Sequence, residues 1–473
     1  MAGVATAQLP PAHMAFDQDA VHEIKLTFAQ SDYWEQLTKN YEGNEDDVPY
    51  LTASLEWGTY KFDSVGVRFK GNSSYNGARN SKKKPFRIKL NEFTKGQKID
   101  GEASFSLSNG WNDPSFVREK AYYELAASAG LKAPRSTFAA LYINGEYWGL
   151  YMLTEVVNGD WLKNFLGKGE DTGNLYKSNI GASFAYLGED SAKYKEFFEK
   201  QSNEDADDWT DLIAFTKTLN ETPLDKLKTT LDPILDVDSV LLALAIDNLT
   251  ANLDSYVGMG QNYYIYKRPS DSRWMWIPWD PSLAFGGLAF GLSTEQMKTM
   301  SLEWVTSNEQ GAGFGQGQAA ASNAVRPLAT RLWQVPEYKT RYREIYRQLV
   351  EKVFFPDIAV ARMNALRDMI RPWVGKDANK LVTMDQFEQA MTTDTTGTMG
   401  FAPGDGGTLP PGGGTPPTVP GGGTPPTNPG GGTPPTGGPG GAGQGGGGMG
   451  STPGLQPFIA ARVASVKAQL DAK

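Results

Sequence analysis

The chain contains no cysteine and only two histidines, His13 and His22, in 473 residues. Thiolate zinc sites and cysteine nucleophiles are therefore excluded, and Ser-His-Asp chemistry nearly so, because both histidines precede any recognisable core. A run of about twenty apolar residues is also missing, so no transmembrane helix is expected. Basic residues are in deficit: Lys+Arg 45 against Asp+Glu 54 gives a formal charge of −9. A general nucleic-acid binder needs the opposite balance to displace counterions from phosphates. A local basic groove, all that a nucleotide requires, is compatible with these numbers. Any catalysis must run on carboxylates, amides, Lys/Arg and a hard metal ion, and Mg²⁺ suits that ligand set.

At 40% hydrophobic, the chain can bury more than one core, and ordinary domain sizes suggest two lobes. Residues 1–16 are expected to be a flexible N-terminus. Within them Ala5-Thr6-Ala7 has the small-x-small look of a signal-peptidase site, consistent with a secreted protein whose leader is trimmed. Residues 17–157 are expected to form a β-rich N-lobe. Its strands are Ala53–Trp57, Ser64–Lys70, Lys84–Leu90, Thr137–Ile143 and Tyr147–Leu153, with Asn144-Gly145 as a tight hairpin. One helix interrupts them, opening at Asp113-Pro-Ser115 and stopping at Gly130.

Residues 158–396 are expected to be a helical C-lobe carrying a small hairpin, Asn262–Tyr266 and Trp274–Pro278. Between residues 397 and 454, Gly-Gly-Gly-Thr-Pro-Pro-Thr recurs from Gly412, Gly421 and Gly430. Such a composition cannot pack a core and suggests a disordered insertion. Residues 455–473 follow as an amphipathic helix, with Phe458, Ile459, Val463, Val466 and Leu470 on the face that must dock.

The hairpin brings chemistry with it. Asp254 precedes it, Asn262 opens its first strand and Asp280 follows its second, so three oxygen-bearing side chains are expected at one end. Phosphoryl transfer needs one carboxylate to orient or deprotonate the acceptor, plus an amide and a second carboxylate to hold Mg²⁺ on the phosphates. The order Asp, Asn, hairpin, Asp is that of protein kinases, with different spacings; Phe285-Gly286 follows a little farther on. A kinase-like site also needs a strand cation with an acidic partner on the next helix. Arg87 and Lys89 share one face of their strand, with Glu119 or Glu124 as partner, while Arg118 is a further phosphate candidate. Glu155, at the end of the stretch Leu150–Val157, marks an inter-lobe hinge whose backbone would meet adenine, or else a structural hydrogen-bonding residue. Asp238 and Asp247 suggest turn formers or helix caps. Lys82-Lys83-Lys84 suggests a solvated strand entrance. Tyr263, Tyr264, Trp274, Trp276 and Trp279 suggest hairpin core, with sugar stacking as the alternative.

Several stretches together resemble the CotH (spore coat protein H) kinase family. They include Arg68-Phe-Lys-Gly-Asn-Ser-Ser74, Asp113-Pro-Ser-Phe-Val-Arg-Glu-Lys120, Asn144-Gly-Glu-Tyr-Trp-Gly-Leu-Tyr151, Gly173-Asn-Leu-Tyr-Lys177, Leu253-Asp-Ser-Tyr256 and Pro278-Trp-Asp280. The resemblance implies an α+β, atypical protein-kinase-like two-lobed fold, and ATP with Mg²⁺ or Mn²⁺ as cofactors. It further implies phosphorylation of secreted, cell-surface or spore-coat proteins. It assigns Asp254 as catalytic aspartate, Asp280 as metal ligand and Asn262 as second metal ligand. Pro281 departs from the family pattern after Pro-Trp-Asp, and no Gly-x-Gly-x-x-Gly loop is present, leaving Gly71–Lys84 as the segment to cover phosphates. Three alternatives stay open: an assembly protein with weak or no turnover, a kinase-fold enzyme transferring a different group, and a carbohydrate hydrolase with paired carboxylates.

Overall fold

The computed structural model describes residues 14–16, 20–44, 47–78, 81–306, 325–394 and 452–472. The signal-peptidase-like triplet and nearly all of the Gly/Pro/Thr insertion fall outside the described residues.

Seven strands close into a barrel: β1 (Val21–Thr27), β2 (Leu51–Trp57), β3 (Tyr60–Phe69), β4 (Phe86–Lys89), β5 (Ser104–Ser108), β6 (Ser136–Ile143) and β7 (Glu146–Glu155). Neighbours pair antiparallel except at the closure, where β1 runs parallel to β6, Val21 opposite Phe138 and Leu26 opposite Ile143. Side chains alternate across each strand, so Ile24, Leu26, Val65, Val67, Phe86, Ile88, Phe105, Leu107, Tyr151 and Leu153 fill the interior. The lobe is β-rich as expected, with β1, an alternating Val-His-Glu-Ile-Lys-Leu-Thr, as the closing strand; the expectation of one helix is corrected, for a second full helix spans Tyr33–Glu42. His22 lies in β1 with its ring edge-on to Trp57 at 5.6 Å, so one histidine does belong to the folded core. Residues 14–16 are part of the same unit, for Ala15 and Phe16 are buried and Ala15 N donates to Asp100 Oδ2 at 2.9 Å.

The helix expected from Asp113 begins at Arg118 and runs to Ser128. Asp113 caps its approach, Oδ2 accepting from Arg118 N at 3.0 Å and Oδ1 from Ser115 N at 3.0 Å. At the β6–β7 turn both Asn144 (φ 50°) and Gly145 (φ 85°) are left-handed, as a two-residue hairpin of that type requires.

The rest of the chain is mainly helical around a four-stranded sheet ordered β11-β10-β8-β9, with β8 Asn174–Ser178, β9 Phe198–Lys200, β10 Tyr263–Lys267 and β11 Trp274–Pro278. The expected hairpin is therefore the edge half of a larger sheet. One face of the hairpin, Tyr263, Ile265, Trp274 and Trp276, joins the helical core, whereas Tyr264, Tyr266, Met275 and Ile277 pack on the Gly159–Leu166 helix. The barrel's outer wall contributes Phe138, Leu150 and Met152 to the helical core, which fuses the two halves.

A buried ion pair fastens the same junction. Lys83 Nζ meets Asp377 Oδ2, both side chains wholly buried, and that carboxylate also accepts from Leu150 N at 3.0 Å. Gly149, at φ +143°, lies against both groups, and a β-carbon there would collide with the ammonium and the carboxylate. Lys84 is buried too, donating to Ala78 O at 2.8 Å beyond the Ser73–Gly77 helix. Only Lys82 of the triplet stays exposed, so the expected solvated entrance is corrected: two of the three lysines are structural donors.

The Leu455–Asp471 helix docks on the helical half through Phe458, Ile459, Val463, Val466 and Leu470. Arg462 is buried within this interface, with Nη1 on Met300 O at 2.6 Å and Nη2 on Asn248 Oδ1 at 2.7 Å. Gly454 N donates to Asp394 Oδ1 at 2.9 Å, so the two ends flanking the long insertion meet.

Candidate functional site

The helix Val237–Leu249 starts on an Asp236 cap and is buried on nearly every side. It ends in a compact loop, with Ala251 left-handed at φ 43°, which delivers Asp254. Met259 N to Leu253 O at 3.0 Å and Gly260 N to Ser255 O at 2.9 Å close that loop. Gln261 Nε2 donates to Asp254 Oδ1 at 2.6 Å, and Asn262 Nδ2 donates at 2.9 Å to both Oδ2 and the backbone oxygen of Asp254.

Across the base of the hairpin, Trp279 N donates to Asn262 O at 3.0 Å, which sets Asp280 beside Asn262. Asn262 (φ 60°) and Asp280 (φ 45°) are both left-handed, a conformation that Asn and Asp tolerate better than most residues. Burial pushes the Asp254 carboxyl up to about 7, and the nearby negative charge of Asp280 adds to the rise. The three acid and amide groups expected at one end of the hairpin therefore share one electrostatic environment.

The facing wall is the outer surface of the barrel. Registers place Arg68, Arg87, Ser106, Thr154 and Ser136 opposite one another in a single row across β3, β4, β5, β7 and β6. Lys70, one residue past β3, reaches this row and donates to Ser106 Oγ at 2.6 Å. Burial lowers its ammonium pKa, while Asp280 opposes that fall. Arg87 is likewise lowered by burial, with the Tyr264 hydroxyl among the groups facing it. Neither Lys70 nor Arg87 forms an ion pair within 4.0 Å among the described residues. Glu119 closes the group: its Oε1 accepts from Thr154 Oγ1 at 2.5 Å, and its buried Oε2 has no partner. Burial first, then Asp280, pushes Glu119 up to about 7.

Sequence reasoning placed Asp254, Asn262, Asp280, Arg87 and Glu119 here and missed Lys70, Ser106, Thr154, Tyr123 and Gln261. The signal for Lys70 was legible. Counting β1, Lys70 follows the third strand of the chain, inside the stretch Arg68–Ser74. Three other candidates are committed elsewhere. Lys89 pairs with Glu92 at 2.7 Å and lies over Tyr50. Arg118 is buried on Asp113 at 2.8 Å and donates to Pro453 O, pinning the return of the C-terminal segment. The Glu155 carboxylate accepts from Arg135 Nε at 2.9 Å and Arg135 N at 2.7 Å. Glu124 is taken by Lys120 and Arg362. Asp247 ties helices together by accepting from Tyr122, and Asp238 pairs with Arg341. The five hairpin aromatics are all buried, which leaves none of them as an exposed stacking platform.

The family model described as CotH kinase protein matches residues 67–394. The chain belongs to this family. Inner spore coat protein H of Bacillus subtilis (strain 168) is 23% identical over 375 residues, covering 78% of this chain and 90% of that protein. Invasin CotH3 of Rhizopus delemar is 28% identical over 190 residues, covering 38% of this chain and 31% of the invasin. Among solved structures, the Helicobacter pylori proinflammatory kinase CtkA overlaps 64% of this chain and 95% of its own at 10% identity. Its TM-score is 0.25, a likeness too low to support any argument about fold.

Among the described residues no cluster of three His, Cys, Asp or Glu side chains is arranged to hold a metal ion alone. The oxygen donors present nevertheless fit Mg²⁺, which commonly takes one or two carboxylates and completes its shell with water and phosphate oxygens. The unpartnered Glu119 Oε2 and the two cations without ion pairs also fit a bound metal-anion complex better than an empty cleft.

Proposed function

We propose that the chain is a Mg²⁺- and ATP-dependent phosphotransferase with a kinase-like division into barrel and helical lobes, acting on proteins of a cell surface or spore coat. The observation that carries this reading is the set of opposed charges gathered around Asp280. Lys70 and Arg87 lack ion-pair partners on the barrel wall, while Asp254, Asn262 and Asp280 converge on the other side. Two desolvated cations without ion pairs call for an anion, and the nearby carboxylates call for a cation. A metal-bound polyphosphate supplies both.

Asp280 and the side-chain Oδ1 of Asn262 would hold Mg²⁺, which when bound neutralises charge on the transferring phosphate. Lys70 and Arg87 orient phosphate oxygens. Asp254, poised near neutrality, accepts or positions the proton of the attacking hydroxyl. The names of the relatives, a spore coat protein and an invasin, support a surface location, and among the described residues no helix is long and apolar enough to cross a membrane.

A second reading, nucleotide binding with little turnover, is favoured by one feature: Lys70 bonds to Ser106 and makes no ion pair with Glu119. The test is labelling of a generic acceptor or of the protein itself from radiolabelled ATP with Mg²⁺ or Mn²⁺. Asp254→Ala and Lys70→Met should each lose at least about 100-fold, from loss of acid–base assistance and of phosphate contact respectively. Lys89→Ala should stay within about two-fold. Nucleotide-dependent thermal stabilisation without labelling would favour the binding protein, and labelling that persists in Asp254→Ala would overturn the assignment.

A further inference from the structure

One helix reaches both halves of the site. Glu119 and Tyr123 lie one turn apart on the Arg118–Ser128 helix and therefore share a face. The Tyr123 hydroxyl accepts from Asp280 N at 3.1 Å. Among the described residues that amide donates to nothing else. The preceding residue reaches the other carboxylate indirectly. Tyr122 donates to Asp247 Oδ1 at 2.6 Å, and the same oxygen accepts from Asn252 Nδ2 at 3.0 Å. Asn252 N also donates to Asp247 O at 2.8 Å, so Asn252 is gripped twice, two residues before Asp254.

Both tyrosines are fully buried, and neither hydroxyl is spent on its own helix. A tyrosine that merely filled the core would need only some local acceptor for its hydroxyl. Here the partners are a left-handed backbone (φ 45°, ψ 58°) that costs energy to hold and a buried carboxylate inside the opposite element.

We infer that Tyr122 and Tyr123 are positioning residues that set the two halves of the site in register through a single helix. Tyr123 fixes Asp280, and Tyr122, through Asp247 and Asn252, fixes the loop bearing Asp254. Each tyrosine holds one half of the site, and the helix that carries both, together with Glu119, joins the halves. The catalytic consequence rests on the phosphotransferase reading; the structural one does not.

The experiment uses the full chain as wild type, Tyr122→Phe, Tyr123→Phe and, as a control, Tyr338→Phe, whose hydroxyl bonds Asp232 outside this network. Without nucleotide, amide hydrogen exchange should quicken roughly five- to ten-fold over residues 279–283 in Tyr123→Phe, the scale of one buried hydrogen bond. Exchange over residues 250–256 should quicken similarly in Tyr122→Phe, each variant sparing the other segment and the control sparing both. Asn252→Ala cuts the second chain independently and should reproduce the Tyr122→Phe pattern if that variant fails to fold.

In the transfer assay, Tyr123→Phe should raise the Mg²⁺ concentration for half-maximal rate, whereas Tyr122→Phe should lower kcat at unchanged Mg²⁺ dependence. Unchanged exchange in both segments, or equal acceleration of both in each variant, overturns the inference. A wild-type chain that transfers no phosphoryl group sinks the phosphotransferase reading, while the exchange pattern still decides the positioning role.

Discussion

Replacing Asp280 with asparagine should make the metal-free protein more stable at pH 8, although it removes the carboxylate proposed to hold the metal. Asp254 and Glu119 are both pushed up to about 7, mainly by burial and secondarily by Asp280. In each case the folded-state pKa exceeds the unfolded value. The folded chain therefore holds extra protons between about pH 4 and 7, and stability falls as pH rises through that window. For Asp254 the rise from 3.8 to about 7 amounts to about 4 kcal/mol before screening. Asp254 retains a solvent-facing edge, and Asp280 is the smaller cause, so the recoverable part is about 1–2 kcal/mol over both groups. Asn suits the left-handed backbone at position 280, and its Oδ1 can still accept from Ser282 Oγ, so the substitution adds no strain of its own. Thermal melts in EDTA should show Asp280→Asn unfolding a few degrees above wild type at pH 8. At pH 5, with Asp254 and Glu119 protonated, the gain should vanish and leave only the lost attraction to Lys70. Added Mg²⁺ with a non-hydrolysable ATP analogue should then stabilise wild type and not the variant. A variant less stable than wild type at pH 8, or a difference that ignores pH, refutes the reasoning.

Two further outcomes test the architecture that holds the site. Asp377→Ala should cost about 3–5 kcal/mol, because it strands the buried Lys83 ammonium and the Leu150 amide; a Lys83→Met/Asp377→Leu double variant should recover much of that loss. Urea unfolding of the set reads both values, and a single variant within 1 kcal/mol of wild type contradicts the role assigned to the pair. Replacing residues 395–451 with a short Gly/Ser linker should leave stability unchanged or raised by about 1–2 kcal/mol, since Gly454 and Asp394 already meet and a shorter loop has less closure entropy to lose. A cooperative melt several degrees below wild type would show that the segment contributes packing.

How much of this was legible in the sequence depended on the range of the interaction. Local signals were dependable: the helix stopped by Gly130, the Asn144-Gly145 turn and the docking face of the last helix all follow from capping, turn chemistry and periodicity. Asp254, Asn262 and Asp280 were also legible, because a hairpin must bring its two ends together. Barrel closure was not, since a parallel pairing of β1 with β6 joins strands more than a hundred residues apart with no turn to mark it. The choice between the two candidate strand cations was hidden for a related reason. Arg87 and Lys89 occupy the same face by alternation, yet only registers distinguish Arg87, opposite Ser106 in the polar row, from Lys89, opposite Ser104 and paired with Glu92. Arg118 and Glu155 show the converse. A charged residue in a motif invites a functional reading, but each of these spends its charge on a buried partner at a junction between elements.

Those buried pairs and the cleft follow the same electrostatic rule with opposite outcomes. Where Lys83 meets Asp377 or Arg135 meets Glu155, desolvation is matched by a partner inside the protein, and the result is a fixed junction. Around Asp280 it is not matched: burial lowers the pKa values of Lys70 and Arg87 and raises those of Asp254 and Glu119. Direct pairing among these groups would make the site another fixed junction. Tyr123 and Gln261 instead hold the backbone of Asp280 and the carboxylate of Asp254 in place, keeping the opposed charges apart. Under the phosphotransferase reading, the charges left unmatched here are the ones that a metal-bound polyphosphate would meet.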